Sequence, residues 1–109
     1  MDNWIISYAA EARSDLIDID SYIRFALLAP TAADRIVDKI THEVRSLSFM
    51  PNRHTVYPNE PWHDLGVRFL PVEKYLIFYY PDADKKTVKV LRILYGGRNI
   101  NTLLPTKLD

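Results

Sequence analysis

Four side chains in the second half of the chain have the types and spacing to act on an anion: Arg68, Arg92, Tyr95 and Arg98. Arg68 lies in "GVRFL" and Arg92 in "VLRIL", each inside an apolar run. An arginine in such a run is costly unless its head reaches water, a carboxylate or an anionic ligand. Its guanidinium is always charged and forks onto phosphate or carboxylate, but it is a poor proton donor or acceptor at neutral pH. Two readings follow. One is a salt bridge to a carboxylate such as Glu73 or Asp64, with the aliphatic stems packed and the heads at the rim. The other is an arginine patch on an open sheet face. Tyr95 and Arg98 flank the pair Gly96-Gly97, where glycine permits a tight turn with positive φ. Such a turn would present both side chains at one edge. Tyr95 also reads as a packed aromatic with a wet hydroxyl.

Other chemistries find little footing. With no cysteine, disulfides, thiolate catalysis and Cys-ligated zinc are excluded. "HEVRS" at His42 begins like a zinc-protease helix, but the residue four positions on is Ser46. His54 and His63 lie in a loop with no matching ligand pair, so no metal or other cofactor is expected. There is no phosphate-cradling glycine loop and no nucleophile elbow. Asp15, Asp18, Asp20 and Asp34 read as solvated helix faces, where negative charge near a first turn is mildly favourable.

The elements that must position the arginines follow from periodicity. "NWIISYA" reads as a short strand of β-branched and aromatic residues. A helix is expected from about 11 to 28, with Leu16, Ile19, Ile23 and Leu27 on one face. Pro30 ends it and opens a second helix to about Phe49, whose stripe is Ala33, Ile36 or Val37, Ile40, Val44 and Leu47. "MPNRHTVYPNEPWH" reads as an extended loop. "DLGVRFLPV", "KYLIFYYP" and "KTVKVLRILY" then make an antiparallel meander joined by short turns. Along the last strand, alternation puts Val88, Val90, Arg92 and Leu94 on one side, opposite Leu91, Ile93 and Tyr95. The tail "NINTLLP" adds a helical turn or packs extended. The order β-α-α-β-β-β predicts an α+β fold of two layers, a helical hairpin on one face of a mainly antiparallel sheet. The other face is expected to be open, with Tyr75, Phe78, Tyr79 and Tyr80 offering apolar area to a partner.

The 109 residues suit a single domain over 1–109. Hydrophobic residues make up 48% and charged ones 26%, ordinary for a soluble globular chain. No run approaches the roughly 20 apolar residues of a membrane span, and "MDNWIISYAAEARSD" lacks a basic segment ahead of an apolar one. A cytoplasmic location without membrane contact is expected. Net charge is zero, but residues 1–43 carry four basic and eight acidic side chains and residues 44–109 ten and six. The second half is therefore the better place to meet something anionic.

"ARSDLIDIDSYI", "PTAADRIVDKI", "VRFLPVEKYLIFYY" and "VKVLRILYGGRNINTLL", in that order, resemble the RelE/ParE superfamily of toxins from type II toxin–antitoxin operons. The resemblance runs from about Ile5 to Leu104. It implies a cytosolic toxin neutralised by a cognate antitoxin whose C-terminal segment wraps the helices and sheet. RelE-like members are metal-free, ribosome-dependent endoribonucleases that cut mRNA with basic sheet residues and a C-terminal His or Tyr. ParE-like members lack that set and poison DNA gyrase. Under this resemblance Arg68 matches the arginine before the "YxIxY" strand and Arg92 the basic position of the last strand. Tyr95 falls where many members have His, and Arg98 matches the arginine just beyond. For a nuclease, Arg68, Arg92, Tyr95 and Arg98 would be catalytic candidates, with Tyr95 or His63 as the proton-transfer group. For a binding protein, Arg68, Tyr79, Arg92, Tyr95 and Arg98 would meet the target or the antitoxin. The nuclease branch usually ends in Tyr near the position of Ile100 and is strongly basic, whereas this chain is neutral. A neutral chain suits an RNA-rich ribosome poorly. The ParE-like branch, with plasmid stabilisation and gyrase inhibition, is therefore the expectation. The alternatives are a RelE-like nuclease and a non-toxic relic that only binds its antitoxin.

Overall fold

A computed structural model describes residues 3–108. The chain forms β1 (Ile5–Tyr8), α1 (Ala10–Ser21), a π-helical turn (Tyr22–Ala26), α2 (Pro30–Ser46), a 3-10 turn (Pro51–Arg53) and α3 (Trp62–Leu65). The strands β2 (Arg68–Val72), β3 (Tyr75–Asp82) and β4 (Thr87–Tyr95) and the short α4 (Ile100–Leu103) complete it. The strands make one sheet in the order β1-β4-β3-β2. β1 lies parallel to β4, and the other pairs are antiparallel.

α2 forms as its stripe predicts. Pro30 occupies the first turn, where a missing N–H costs nothing. Ala33, Ile36, Ile40, Val44 and Leu47 are all buried on one line and meet Leu70, Ile77, Tyr79, Val88, Val90 and Ile93 of the sheet. Burying aliphatic side chains of this size is worth about 1.5–3 kcal/mol each. The first helix is shorter than its periodicity suggests. It passes into the π-helical turn, and Leu28 then takes a left-handed conformation (φ 53°). The wider turn rotates the end of the helix off its stripe, so Leu27 is exposed, with Tyr22, Phe25 and Leu28.

The second sheet face is covered, contrary to the open face expected. Phe78, Leu91 and Leu94 pack there beneath Trp62, Val67 and Leu104, with Tyr57, Leu65 and Ile100 around them. The Trp62 indole N–H donates to the Pro105 carbonyl at 2.8 Å, pinning the loop and the C-terminal segment to each other. The physical reason is in the loop and the tail. Their aromatic and leucine side chains have no period, but they carry enough apolar area to form a second core.

A bulge corrects the predicted strand facing. Phe78 pairs with Arg92, but Tyr79 pairs with Val90, so Leu91 is an extra residue in β4. One extra residue flips the alternation. Val88, Val90 and Ile93 therefore face the helices, while Leu91 and Leu94 join the second core.

Candidate functional site

The anion-patch reading depends on Arg92. Its guanidinium meets Asp15 of α1 through Nε (2.7 Å) and Nη2 (2.8 Å), and its Nη1 donates to the Leu103 carbonyl at 2.9 Å. The Asp15 carboxylate also accepts the backbone N–H of Ile93 at 2.9 Å. β1 stops opposite Val90, so beyond that point β4 is a sheet edge. Asp15 takes the place of the missing strand there. The pairing with Asp15 raises the Arg92 pKa above its already high ordinary value. The expected salt bridge exists, but its partner is neither Glu73 nor Asp64. It is Asp15, which is buried rather than a solvated helix-face carboxylate. Arg92 is thus not available to an external anion.

Arg68 lies two strands from Arg92 at nearly the same level of the sheet, since their β3 partners Tyr79 and Phe78 are adjacent. It pairs with Tyr79, whereas Tyr95 pairs with Tyr75, four positions away along β3 and so about 13 Å distant. Its Nη1 donates to the His54 carbonyl at 2.6 Å. Tyr79 is fully buried, and its hydroxyl donates to the Pro51 carbonyl at 2.6 Å. Burial pushes that hydroxyl's pKa up to about 12. Tyr79 therefore offers no surface to a partner, and the same holds for Phe78.

Tyr95 and Arg98 are the two predicted side chains that the structure brings together. Both line a groove of about 770 Å³ between the tip of the helical hairpin and the end of the sheet. Ile19, Ile23, Ile36 and Ile93 line it with Tyr75; Tyr22 and Leu27 also contribute. Tyr75 meets the Tyr95 ring edge-on at 6.0 Å. Burial, with Tyr95, Tyr22 and Glu73 nearby, raises the Tyr75 hydroxyl above its usual range. Asp15 and Asp18 line the groove on the α1 side, and its other charges divide into two sets. Glu73, held below the usual carboxylate range by hydrogen bonds from Arg35 and Lys39, is bonded to them at 2.6 and 3.2 Å. Among the described residues, the Arg98 side chain has no hydrogen-bond or ion-pair partner, and the groove also borders Lys74. The arrangement can seat an amphipathic segment with apolar side chains on the floor and a carboxylate at Arg98.

The glycine pair works through its missing side chains rather than through its φ angles. Among the described glycines only Gly66 has positive φ. A Cβ on Gly97 would sit 3.0 Å from Cε2 of Tyr95, so glycine there lets the ring fold back over the turn.

His63 is exposed in α3, its Nδ1 3.6 Å from carboxylate oxygens of both Glu60 and Asp64. The three side chains could converge on one point, a cluster the loop sequence did not suggest. It does not border the groove. The sequence reading also missed Asp15, Tyr22 and the exposed tip. The signal for the tip was present: Phe25 and Leu28 of "FALLA" fall off the helical stripe.

A hairpin of helices on one face of a β1-β4-β3-β2 sheet, with a groove at the hairpin tip, is the RelE/ParE-like α+β fold. The sequence matches the family described as the ParE toxin of the type II toxin–antitoxin system parDE over residues 6–100. The chain belongs to that family. Among solved structures it is similar to a chain of the chromosomal ParDE system of P. aeruginosa, with 24% identity and a TM-score of 0.70 over 87% of this chain and 98% of that one. It is also similar to a chain of the RelBE2 toxin–antitoxin complex of Mycobacterium tuberculosis, with 22% identity and a TM-score of 0.65 over 87% and 93%. A mutant of the E. coli toxin RelE in the free state aligns over 94% of both chains with a TM-score of 0.66 at 8% identity. At such identities the likeness establishes the fold alone. No curated protein matches in sequence. Among the described residues no helix is long and apolar enough to cross a membrane.

Proposed function

We propose that this chain is a growth-arresting toxin that inhibits DNA gyrase by binding, without chemistry of its own, and that a cognate antitoxin neutralises it. The observation that carries the reading is the bidentate Arg92–Asp15 pair. A nuclease would need Arg92 free for the scissile phosphate and near Arg68, Tyr95 and Arg98. Here Arg92 is already neutralised, and Arg68 is tied to the His54 carbonyl at the opposite edge of the sheet from Tyr95. Tyr95 stands where a histidine would serve as a proton carrier at neutral pH. Family membership supports the toxin role. The antitoxin reading is supported by the groove and by the β1 edge. Ile6 and Tyr8 alternate with residues bonded to β4, such as Ile5 and Ala9, so their backbone groups face outward. Arg13 lies over the Tyr8 ring at 5.8 Å, and Arg45 also acts on that tyrosine. An acidic, partly apolar segment fits this edge and the groove beside Arg98.

The test is a supercoiling assay with protein freed of antitoxin. Gyrase supercoiling should be blocked and cleaved DNA should accumulate. No effect at stoichiometric excess would sink the proposal. Primer extension on translated mRNA, with Arg92→Ala as control, addresses the ribonuclease reading; no cleavage is expected.

A further inference from the structure

The segment that leaves α2 carries a histidine in an unusual setting. Met50 takes a left-handed conformation (φ 50°), the 3-10 turn follows, and residues 55–57 run beside β2 as an edge cover. Phe69 N–H donates to the Thr55 carbonyl at 3.0 Å, Tyr57 N–H donates to the Val67 carbonyl at 2.8 Å, and Val56 bridges Arg68. The cover is tied down at its start. Arg53 donates to the carbonyls of Ser46 and Met50 and to that of Phe49. Tyr79 holds the Pro51 carbonyl and Arg68 the His54 carbonyl.

The His54 ring sits within these ties, edge-on to Tyr79 at 6.3 Å. Its Nε2 is sealed from solvent and has no hydrogen-bond partner among the described residues. Four titratable or charged groups act on it or pack against it: Arg53 of the 3-10 turn, Arg68 of β2, Glu43 of α2 and Tyr79 of β3. Two are cations, Tyr79 is neutral, and Glu43 alone favours a charged imidazole. A neutral ring can leave just a lone pair unmet at Nε2. A protonated ring would put an unpaired N–H of a cation there, with both arginines acting against its charge, which is far more costly.

We propose that His54 is a pH-sensitive latch: when its imidazole takes up a proton from solvent, the 51–57 segment releases and the β2 edge opens. Release would also free Arg68 from the His54 carbonyl, leaving a guanidinium beside an unpaired strand edge. Burial first, and then Arg53, lower the His54 pKa, so the latch is closed at neutral pH. The sign follows from linkage. The open state takes up the proton near the ordinary value of about 6.5 and the closed state only at lower pH. Closure is therefore fully favoured above about 6.5 and weakens as pH falls toward the closed-state value.

Amide exchange by NMR on the full chain between pH 7.5 and 5 tests this. After correction for intrinsic exchange, opening at Phe69 and Tyr57 should rise by up to about tenfold per pH unit below about 6.5. The Ala9 amide, bonded to Val90 at the other side of the sheet, should keep its protection. In His54→Phe, the pH dependence at Phe69 and Tyr57 should vanish; His54→Gln serves as a second neutral variant. Should neither variant fold, the wild-type imidazole titration decides, since its midpoint must coincide with the change at Phe69. Protection at Phe69 that does not change with pH would overturn the latch. So would an equal pH response in His54→Phe, or simultaneous loss of protection at Ala9, which would indicate global unfolding.

Discussion

Asp15 accepts three hydrogen bonds, two from the Arg92 guanidinium and one from the Ile93 backbone. Both side chains are mostly buried, with 17% of Arg92 and 11% of Asp15 exposed. The net worth of such a pair against an apolar substitute is small, but breaking it leaves a buried charge unpaired. Asp15→Asn is therefore expected to destabilise the chain by about 3 kcal/mol. Thermal unfolding should show this, with a Tm lower by roughly 10–20 °C. An unchanged Tm would mean that Arg92 finds another acceptor and is less committed than its geometry indicates. The partners lie 77 residues apart in the chain. The type of solution, an arginine needing a carboxylate, was legible in "VLRIL", but its identity was not. Several carboxylates satisfy the same chemistry, and only packing of α1 against the edge of β4 beyond β1 selects Asp15.

Elements divide by how far a single period explains them. The α2 stripe was legible because helix and core share one axis over many residues. β4 was legible as a strand but misassigned in its second half, because the Leu91 bulge shifts the alternation and depends on pairing with β3. The π-helical turn was equally invisible, since a wider turn needs no distinctive composition. β2 shows an element whose sequence guards its own edge. Phe69 N–H points outward to the covering loop, so two residues on, position 71 would also point its N–H outward. Proline there removes the donor, a known way to blunt an edge. Pro71→Ala should restore it with little change in Tm. The variant is expected to self-associate more readily, read by light scattering across a concentration series. Identical scattering from both proteins would show that the covering loop alone protects this edge.

At the scale of the whole molecule, the apolar tip and the groove belong to one surface. Phe25 (69% exposed) and Leu28 (81%) extend it beyond Tyr22 and Leu27. Soluble monomers seldom leave such a tract uncovered, and aromatic side chains at the centre of an interface carry much of its energy. Tyr95→Ala should leave the unfolding free energy within about 1 kcal/mol of wild type, as its ring is half exposed. It should weaken antitoxin affinity by about 30-fold or more, measured by calorimetry. Arg98→Ala should reduce the salt dependence of that binding. Wild-type affinity in Tyr95→Ala would move the antitoxin contact off the groove. The charge division of the chain fits this picture, since Arg98 and Lys74 come from the basic half and Asp18 from the acidic one.

The sequence by itself determined the class of fold, the helical hairpin, the three-strand meander and membership of the toxin family. These rest on local periodicity and on residue order, which survive without knowledge of contacts. Tertiary structure alone decided which arginine is free. It tied Arg92 to Asp15, held Arg68 on the His54 carbonyl, buried Tyr79 and left Tyr95 and Arg98 together at the groove. It also closed the sheet face that strand patterning had left open. The reason is the same throughout: an arginine or tyrosine states a need for a partner, and only the packing of distant segments determines whether that need is already met.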